Sequence, residues 1–393
     1  MKKNKPELLC PAGNWASLIA AVENGADSVY FGVKGINMRQ MAGNFEISEI
    51  QKVASYLHEH GKKGYLTVNT IVMNNELDKL RQILEEAKGA GIDAVILWDL
   101  AAFAMAKELG LTIHVSTQAS ISNIKALEFY AGLGAERVVL ARECTLAQIR
   151  EIKGQVKEKN ITCAIETFIH GAMCLSISGR CFMAYYTHGQ SANRGECTQP
   201  CRREYQIKSV EGDESFVVGQ DYVMSPKDLC SIDFIDDLIN AGIDSFKVEG
   251  RMRSPEYARV VAQVYREAID AHFDGRLNDG LKASMKERLA EVYNRGFSTG
   301  FYFGEPDSAK SDQLGHVYEK IFVGEVKKYY KKISVADILV RTGSLKKGEE
   351  ILVIGKTTPA CMATIEEMQQ EKKPVNEVGK GQHAGIKLPF KVS

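Results

Sequence analysis

No stretch of this chain approaches the ~20 consecutive apolar residues that a membrane-spanning helix needs. The opening MKKNKPELLCPAG carries lysines but no apolar core. No secretory signal is therefore expected, and the expected location is cytoplasmic. Net charge is also lacking, since 50 Lys and Arg balance 50 Asp and Glu. That disfavours a uniformly basic nucleic-acid binder. HExxH is absent, and the one G-x-S-x-G, GFSTG at 296–300, falls in an aperiodic Gly-, Ser- and Phe-rich segment read as a loop, so neither a zinc protease helix nor a serine-hydrolase elbow is expected. No glycine-rich dinucleotide fingerprint opens a helix, so a Rossmann fold is disfavoured. Long low-complexity segments are missing too. The nine cysteines would stay reduced in the cytoplasm, so a disulfide framework is not expected. A cluster among them suits metal binding or redox chemistry instead.

What is present is an alternation of strands and helices. ELLCPAG, SVYFGV (28–33), GYLTVNT (64–70), AVILWD (94–99), IHVSTQAS (113–120), RVVLAR (137–142), TCAIETFIH (162–170), YVMSPKDL (222–229) and SFKVEGR (245–251) read as strands. Most are short and apolar on both faces, as buried parallel strands are. Helical segments separate them, with Asn14 and Ser254 as candidate caps. Eight or nine such units over some 250 residues fit a TIM-like (β/α) barrel better than a doubly wound sheet. Beyond Val323 the pattern changes to short alternating runs between turn signals, which predicts a small all-β barrel. The expected division is 1–317 for the barrel, with a Cys-rich insertion at 171–220, and 318–393 for the small domain. Residues 318–393 hold fourteen Lys and Arg against nine Asp and Glu, a net of +5.

In a parallel barrel the active site lies at the C-terminal ends of the strands. Polar residues expected there are Arg39, Asn44, Asn69, Asp99, Arg142 and Glu143, with Glu166 and His170 in and after the seventh strand. His114, Ser116 and Gln118 alternate along the fifth, and Lys247, Glu249 and Arg251 along the last. A buried strand carries three charges on one face only if that face is a polar site or closes on itself in ion pairs. The stretch Glu166–Arg203 holds four cysteines, Cys174, Cys181, Cys197 and Cys201, spaced C-x6-C-x15-C-x3-C. Only the second pair has structural-zinc spacing. Iron–sulfur clusters tolerate looser spacing, so both readings stand, as does one of unrelated buried thiols. Cys230 is a substitute for one of the four.

Residues 166–181, ETFIHGAMCLSISGRC, closely resemble the signature of peptidase family U32. The resemblance continues through NRGECTQPCR (193–202), SPKDLCSID (225–233), KVEGRMRSPEYARVV (247–261) and the N-terminal LLCPAGN and GADSVYFGV. It spans nearly the whole chain, and the C-terminal part is similar to the family's β-barrel, itself like the second domain of elongation factors. The family name implies a peptidase, and older members are described as collagenases. Other members hydroxylate RNA or quinones. The tRNA branch forms 5-hydroxyuridine at the wobble position and depends on prephenate, and another branch modifies a cytidine of ribosomal RNA. The ubiquinone branch binds a 4Fe-4S cluster. The first expectation is therefore a tRNA hydroxylase. Cys174, Cys181, Cys197 and Cys201 would then be cluster ligands, with Cys230 as the alternative to Cys201. Arg39, Asn69, Gln118, Lys247 and Arg251 would bind substrate or prephenate, and Glu166, His170 or Glu249 would move protons. Tyr185 and Tyr186 would stack on an extruded base. The competing expectations are a U32-type peptidase and an RNA-binding protein with structural zinc. A paralogous subunit or a second copy is left open as a partner.

Overall fold

The computed structural model describes residues 5–203, 205–208, 215–218, 226–304 and 320–392. Its first unit alternates β1 (Glu7–Ala12), α1 (Trp15–Glu23), β2 (Ser28–Gly32), α2 (Ile50–Glu59), β3 (Lys63–Thr67), α3 (Leu77–Gly89), β4 (Ala94–Leu97), α4 (Leu100–Glu108), β5 (Ile113–Val115), α5 (Ile124–Leu133), β6 (Ala135–Val139), α6 (Leu146–Glu158) and β7 (Ala164–Gly171). After β7 come α7 (Met183–His188), an antiparallel pair β8 (Tyr205–Lys208) and β9 (Ser215–Val218), and β10 (Asp228–Cys230). The unit ends with α8 (Ile235–Asn240), β11 (Ser245–Val248), α9 (Pro255–Phe273), α10 (Asp279–Ala290) and β12 (Phe297–Ser298). Strands β1 to β7 pair in parallel in chain order, and β11 closes the ring by pairing with both β7 and β1. This is an eight-stranded TIM-like barrel. The expected strand at 222–229 is not a stave. Its described part, β10, runs antiparallel to β7 outside the ring, and residues 222–225 lie outside the described chain.

Two apolar layers hold the barrel. Leu9, Tyr30, Tyr65, Ala94 and Ile96 cluster inside it, and the outward strand faces pack against the helices. Asn14, Asp99, Asn123, Thr145 and Asn278 cap helices through their side chains, as short polar side chains do. Ser254 precedes α9 without such a bond, and Pro255 at the first helical position supplies the start instead.

Below the centre of the barrel lies a buried ion network. Arg137 reaches Glu7 at 2.8 and 3.0 Å and Glu166 at 3.0 Å. Glu166 also accepts from Lys247 at 2.8 Å and Ser245 at 3.0 Å, while Glu7 accepts from Ser28 and Tyr65. Burial alone would raise both carboxyl pKa values, but Arg137, and for Glu166 also Lys247, hold them below the ordinary 4.5. Arg137→Met would leave two buried carboxylates short of a partner and should cost about 3–5 kcal/mol in urea unfolding. Carboxylates with lowered folded pKa stabilise the protein above their unfolded value near 4.5 and lose that contribution as pH falls below it. The gap between variant and parent should therefore narrow in acid.

The second unit comprises β13 (Gly324–Tyr330), β14 (Val335–Val340), β15 (Ser344–Lys346), β16 (Glu350–Val353), β17 (Cys361–Thr364), β18 (Met368–Gln370), β19 (Lys373–Pro374), β20 (Glu377–Gly379) and β21 (His383–Lys387). A five-stranded sheet ordered β13-β14-β21-β18-β19 and two antiparallel ribbons enclose a separate core that includes Ile338, Leu345, Ile365, Val378 and Ile386. Lys320 ion-pairs with Glu256 of α9.

Candidate functional site at the barrel mouth

The C-terminal ends of the strands surround a small pocket open to solvent. Its floor is Tyr30, Ile96, Val139 and Phe168, and its walls carry Arg39, Arg142, Lys247, Glu249 and Arg251. Lys247 sits over the Tyr30 ring at 4.5 Å and is bound to Glu166 below. Glu249 accepts from Arg39 at 2.9 and 3.1 Å and has Arg142 at 3.8 Å. Burial would raise its pKa, but the charges of Arg39, Arg142 and Arg251 bring it to about 2.

Arg251 differs from the other cations. It is 4% exposed, and its guanidinium donates to Thr67 Oγ1 at 2.7 Å and to Asn37 Oδ1 at 3.2 Å, both neutral. Among the described residues no carboxylate lies within ion-pair distance of it. Burial pushes its pKa down to about 10. The slot it occupies requires a glycine at position 32, because a Cβ there would lie 2.5 Å from Arg251 Nη1. The pocket thus holds four cations, Arg39, Arg142, Lys247 and Arg251, against the carboxylates of Glu166 and Glu249. Below it Arg137 pairs with Glu7, so the excess stays positive. A buried positive excess facing open space is suited to an anion, and a planar guanidinium to a carboxylate or phosphate.

An amide edge completes the wall. Asn69 donates to Ser116 Oγ and Gln118 Oε1, each at 3.3 Å, and accepts from Met38 N. Strand β5 ends at Val115, so Ser116 and Gln118 stand on a turn after it rather than on the strand face. His114 stays inside the barrel against Tyr65 at 4.7 Å, and burial holds it neutral. Asn44 closes its own loop by donating to three backbone carbonyls.

Of the three residues expected to move protons, only Glu249 lines the pocket. Glu166 is saturated by Lys247, Arg137 and Ser245. Glu249 is held ionised by arginines. His170 faces the helix layer, where it contacts Tyr265 Oη at 3.2 Å, and burial pushes its pKa to about 3. The cause is a bulge. Lys247 pairs with Phe168, but the next residue, Val248, pairs with His170, so β7 spends one extra residue and its alternation flips.

The Cys-bearing segment lies over this mouth. Gln40 N donates to Gly195 O, and a Cβ on Gly195, whose φ is +85°, would lie 2.1 Å from Asn37 O. Arg194 binds Ile71 O and Glu76, and Arg202 donates to Met173 O and Pro226 O at 2.6 Å each. Arg180 donates to Gln118 O and stacks over Trp98 at 4.9 Å. Cys174, Cys181 and Cys197 lie within charge range of Cys201. Burial raises the Cys201 thiol's pKa, Arg202 opposes it, and Cys174, Cys197 and Cys181 act on it by charge. Three of the sulfurs also accept a backbone N–H from two residues ahead, each at 3.4 Å: Cys174 from Ser176, Cys181 from Met183 and Cys197 from Gln199. Backbone N–H donors of this kind accompany the sulfurs of metal and iron–sulfur sites. Among the described residues no group of three or more His, Cys, Asp or Glu side chains is placed to hold a metal ion. Cys230 lies apart, buried under Tyr265 Oη at 3.8 Å with its pKa raised to about 11. Around the thiols, Leu175, Ile177, Phe182, Tyr185 and Tyr186 are exposed, Tyr186 at 83%.

A TIM-like barrel with an arginine-lined mouth and a cysteine-rich flap defines the class of protein. The family model for peptidase family U32 matches residues 13–312, and the chain belongs to that family. It is 39% identical over all of its length to a collagenase of Porphyromonas gingivalis, covering 97% of that protein. It is 42% identical over 97% of its length to an uncharacterized protease of Methanocaldococcus jannaschii, covering 95% of it. It is 35% identical over 99% of its length to tRNA hydroxylation protein P1 of Bacillus subtilis, covering 92% of it.

Proposed function

We propose that this protein is an RNA hydroxylase that forms 5-hydroxyuridine at a tRNA wobble position, with an iron–sulfur cluster and prephenate as co-substrate. The observation that carries the reading is a flap bearing four thiols, three of them within charge range of Cys201, that lies over an arginine-lined pocket beside exposed aromatic rings. Full-length similarity to a protein named for tRNA hydroxylation supports it, as does 32% identity over 82% of this chain to the 23S rRNA 5-hydroxycytidine C2501 synthase of Escherichia coli.

Replacing the C5–H of uridine by C5–OH removes two electrons, which no side chain accepts. A 4Fe-4S cluster on Cys174, Cys181, Cys197 and Cys201 would supply electron transfer at the mouth. The donor types suit that group, since Cys201 has the other three thiols within charge range and three of the sulfurs accept backbone N–H donors. Arg251, with Arg39 and Arg142, would bind the carboxylates of prephenate. Asn69 and Gln118 would orient polar groups of the ligand. Tyr185 and Tyr186 offer faces on which a base drawn out of the anticodon loop would stack.

The relatives named collagenase and protease favour peptide hydrolysis as a second reading. The pocket gives it little support. Its serine hydroxyl, Ser116 Oγ, is bonded to the amides of Asn69 and Gln118 rather than to an imidazole. Nucleoside analysis separates the readings. tRNA from a strain lacking the gene should lose 5-hydroxyuridine and its derivatives, and the parental gene should restore them. Unchanged nucleosides together with gelatin cleavage by the purified protein would reverse the assignment.

A further inference from the structure

We propose that the β13–β14 hairpin of the small domain is a second RNA-contacting surface, which grips phosphates at a distance from the modified base. The inference rests on the RNA reading above and locates where the polyanion is held.

Strand β13 begins with ordinary alternation, Val326 facing the core and Glu325 the solvent. A bulge between Val326 and Lys328 then inserts Lys327, which ion-pairs with Glu325. After the bulge Lys328 and Tyr330 share the outward face, with the Lys328 ammonium 5.0 Å from the Tyr330 ring centre. Tyr329 points the other way, and its hydroxyl donates to Phe390 O at 3.0 Å, which ties the hairpin to the end of the sheet. The tip continues as Lys331, Lys332 and Ile333, all exposed. Tyr330 lies opposite Val335, which lies opposite Lys387 of β21.

Four lysines therefore border one face: Lys328, Lys331, Lys332 and Lys387. Among the described residues none has a carboxylate within ion-pair distance. Of the carboxylates nearby, Glu325 is paired with Lys327 and Arg341, and Asp337, opposite Lys328 in register, hydrogen-bonds His383 at 2.8 Å. Lys387 and the β13 edge are two strand spacings apart, roughly 10 Å, a span that takes in more than one phosphate. Tyr330 is 43% exposed beside the Lys328 ammonium, so a base or ribose can rest beside the backbone contact. Unpaired cations beside an exposed ring match a nucleic-acid strand in charge and in surface.

The test compares the full chain with the K328Q/K331Q/K332Q/K387Q variant in binding deacylated bulk tRNA across a salt series. All four lysines are on the surface, and circular dichroism verifies folding. The parent should bind with a steep negative log–log salt slope. The variant should lose about three units of that slope, at 0.7–0.9 per phosphate contact, and roughly tenfold or more in affinity near physiological salt. Y330S should weaken binding with the slope unchanged. A variant that matches the parent in slope and affinity overturns the hairpin proposal and leaves the RNA reading standing. A parent that does not bind tRNA overturns both. Phosphatidylserine vesicles are the third arm: loss of vesicle binding with tRNA binding unchanged would make this a membrane contact and overturn the proposal.

Discussion

Arg251→Met should reduce binding of prephenate, or of any small dicarboxylate, by roughly 10- to 150-fold, and should not lower the protein's melting temperature. The first part follows from geometry. Arg251 presents a buried guanidinium to the pocket, and a charge-assisted contact to a carboxylate contributes about 1.5–3 kcal/mol. The second part follows from what Arg251 lacks. Its hydrogen-bond partners are the Thr67 hydroxyl and the Asn37 amide, and Glu249 is taken by Arg39. Burial holds its pKa near 10, below the ordinary 12.5. A base whose pKa is lowered by folding destabilises the fold wherever it is charged, which includes neutral pH. Methionine keeps the volume and removes the charge, so the unliganded variant should be as stable as the parent or more so. Calorimetric titration and a thermal melt decide it. A melt lowered by more than ten degrees, with affinity unchanged in the folded fraction, would mean that Arg251 is a structural part of the barrel. Charge placed for a ligand at the expense of stability is what a binding site does, and the Arg137 network below shows the contrast. There every charge has an opposite partner.

That contrast explains what could be read from the residues alone. Lys247, Glu249 and Arg251 are conspicuous because they interrupt an apolar run, and all three do reach the pocket. Their alternation, however, does not tell which partner each takes. Lys247 turns to Glu166 on β7, and Glu249 to Arg39 from the loop after β2. Those partners are set by barrel closure, a long-range property. His170 shares the parity of Glu166 and Phe168 and so seems to belong inside. A single bulge against β11 reverses it, and bulges leave no periodic trace in one strand. Thr67 is the converse case. It falls between Tyr65 and Asn69 on the inward parity of β3, so alternation alone brings it to Arg251. The β10 segment was apolar enough to read as a stave, yet the ring already had eight members.

Alanine at Cys174, Cys181 or Cys197 should abolish bound iron and sulfide in protein purified without oxygen, because a cuboidal cluster normally needs its full set of thiolates. Cys230→Ala, Cys10→Ala and Cys361→Ala should leave the iron in place. Cys230 is the informative control. It lies in a segment expected to substitute for Cys201, but it is buried under Tyr265, and burial holds its thiol protonated. The flap should survive loss of the cluster ligands, since its ties to the barrel run through Arg194, Arg202 and Gly195 rather than through sulfur. A melting curve close to the parent's would then show that iron loss is a ligand effect and not unfolding. Cys201 is the proposed ligand whose thiolate burial opposes, so Cys201→Ser should retain part of the iron if the oxygen replaces the sulfur. Full iron retention in Cys181→Ala would sink the cluster assignment. A colourless parent carrying one equivalent of zinc would assign the same four thiols to a structural metal, and the redox chemistry would have to come from elsewhere.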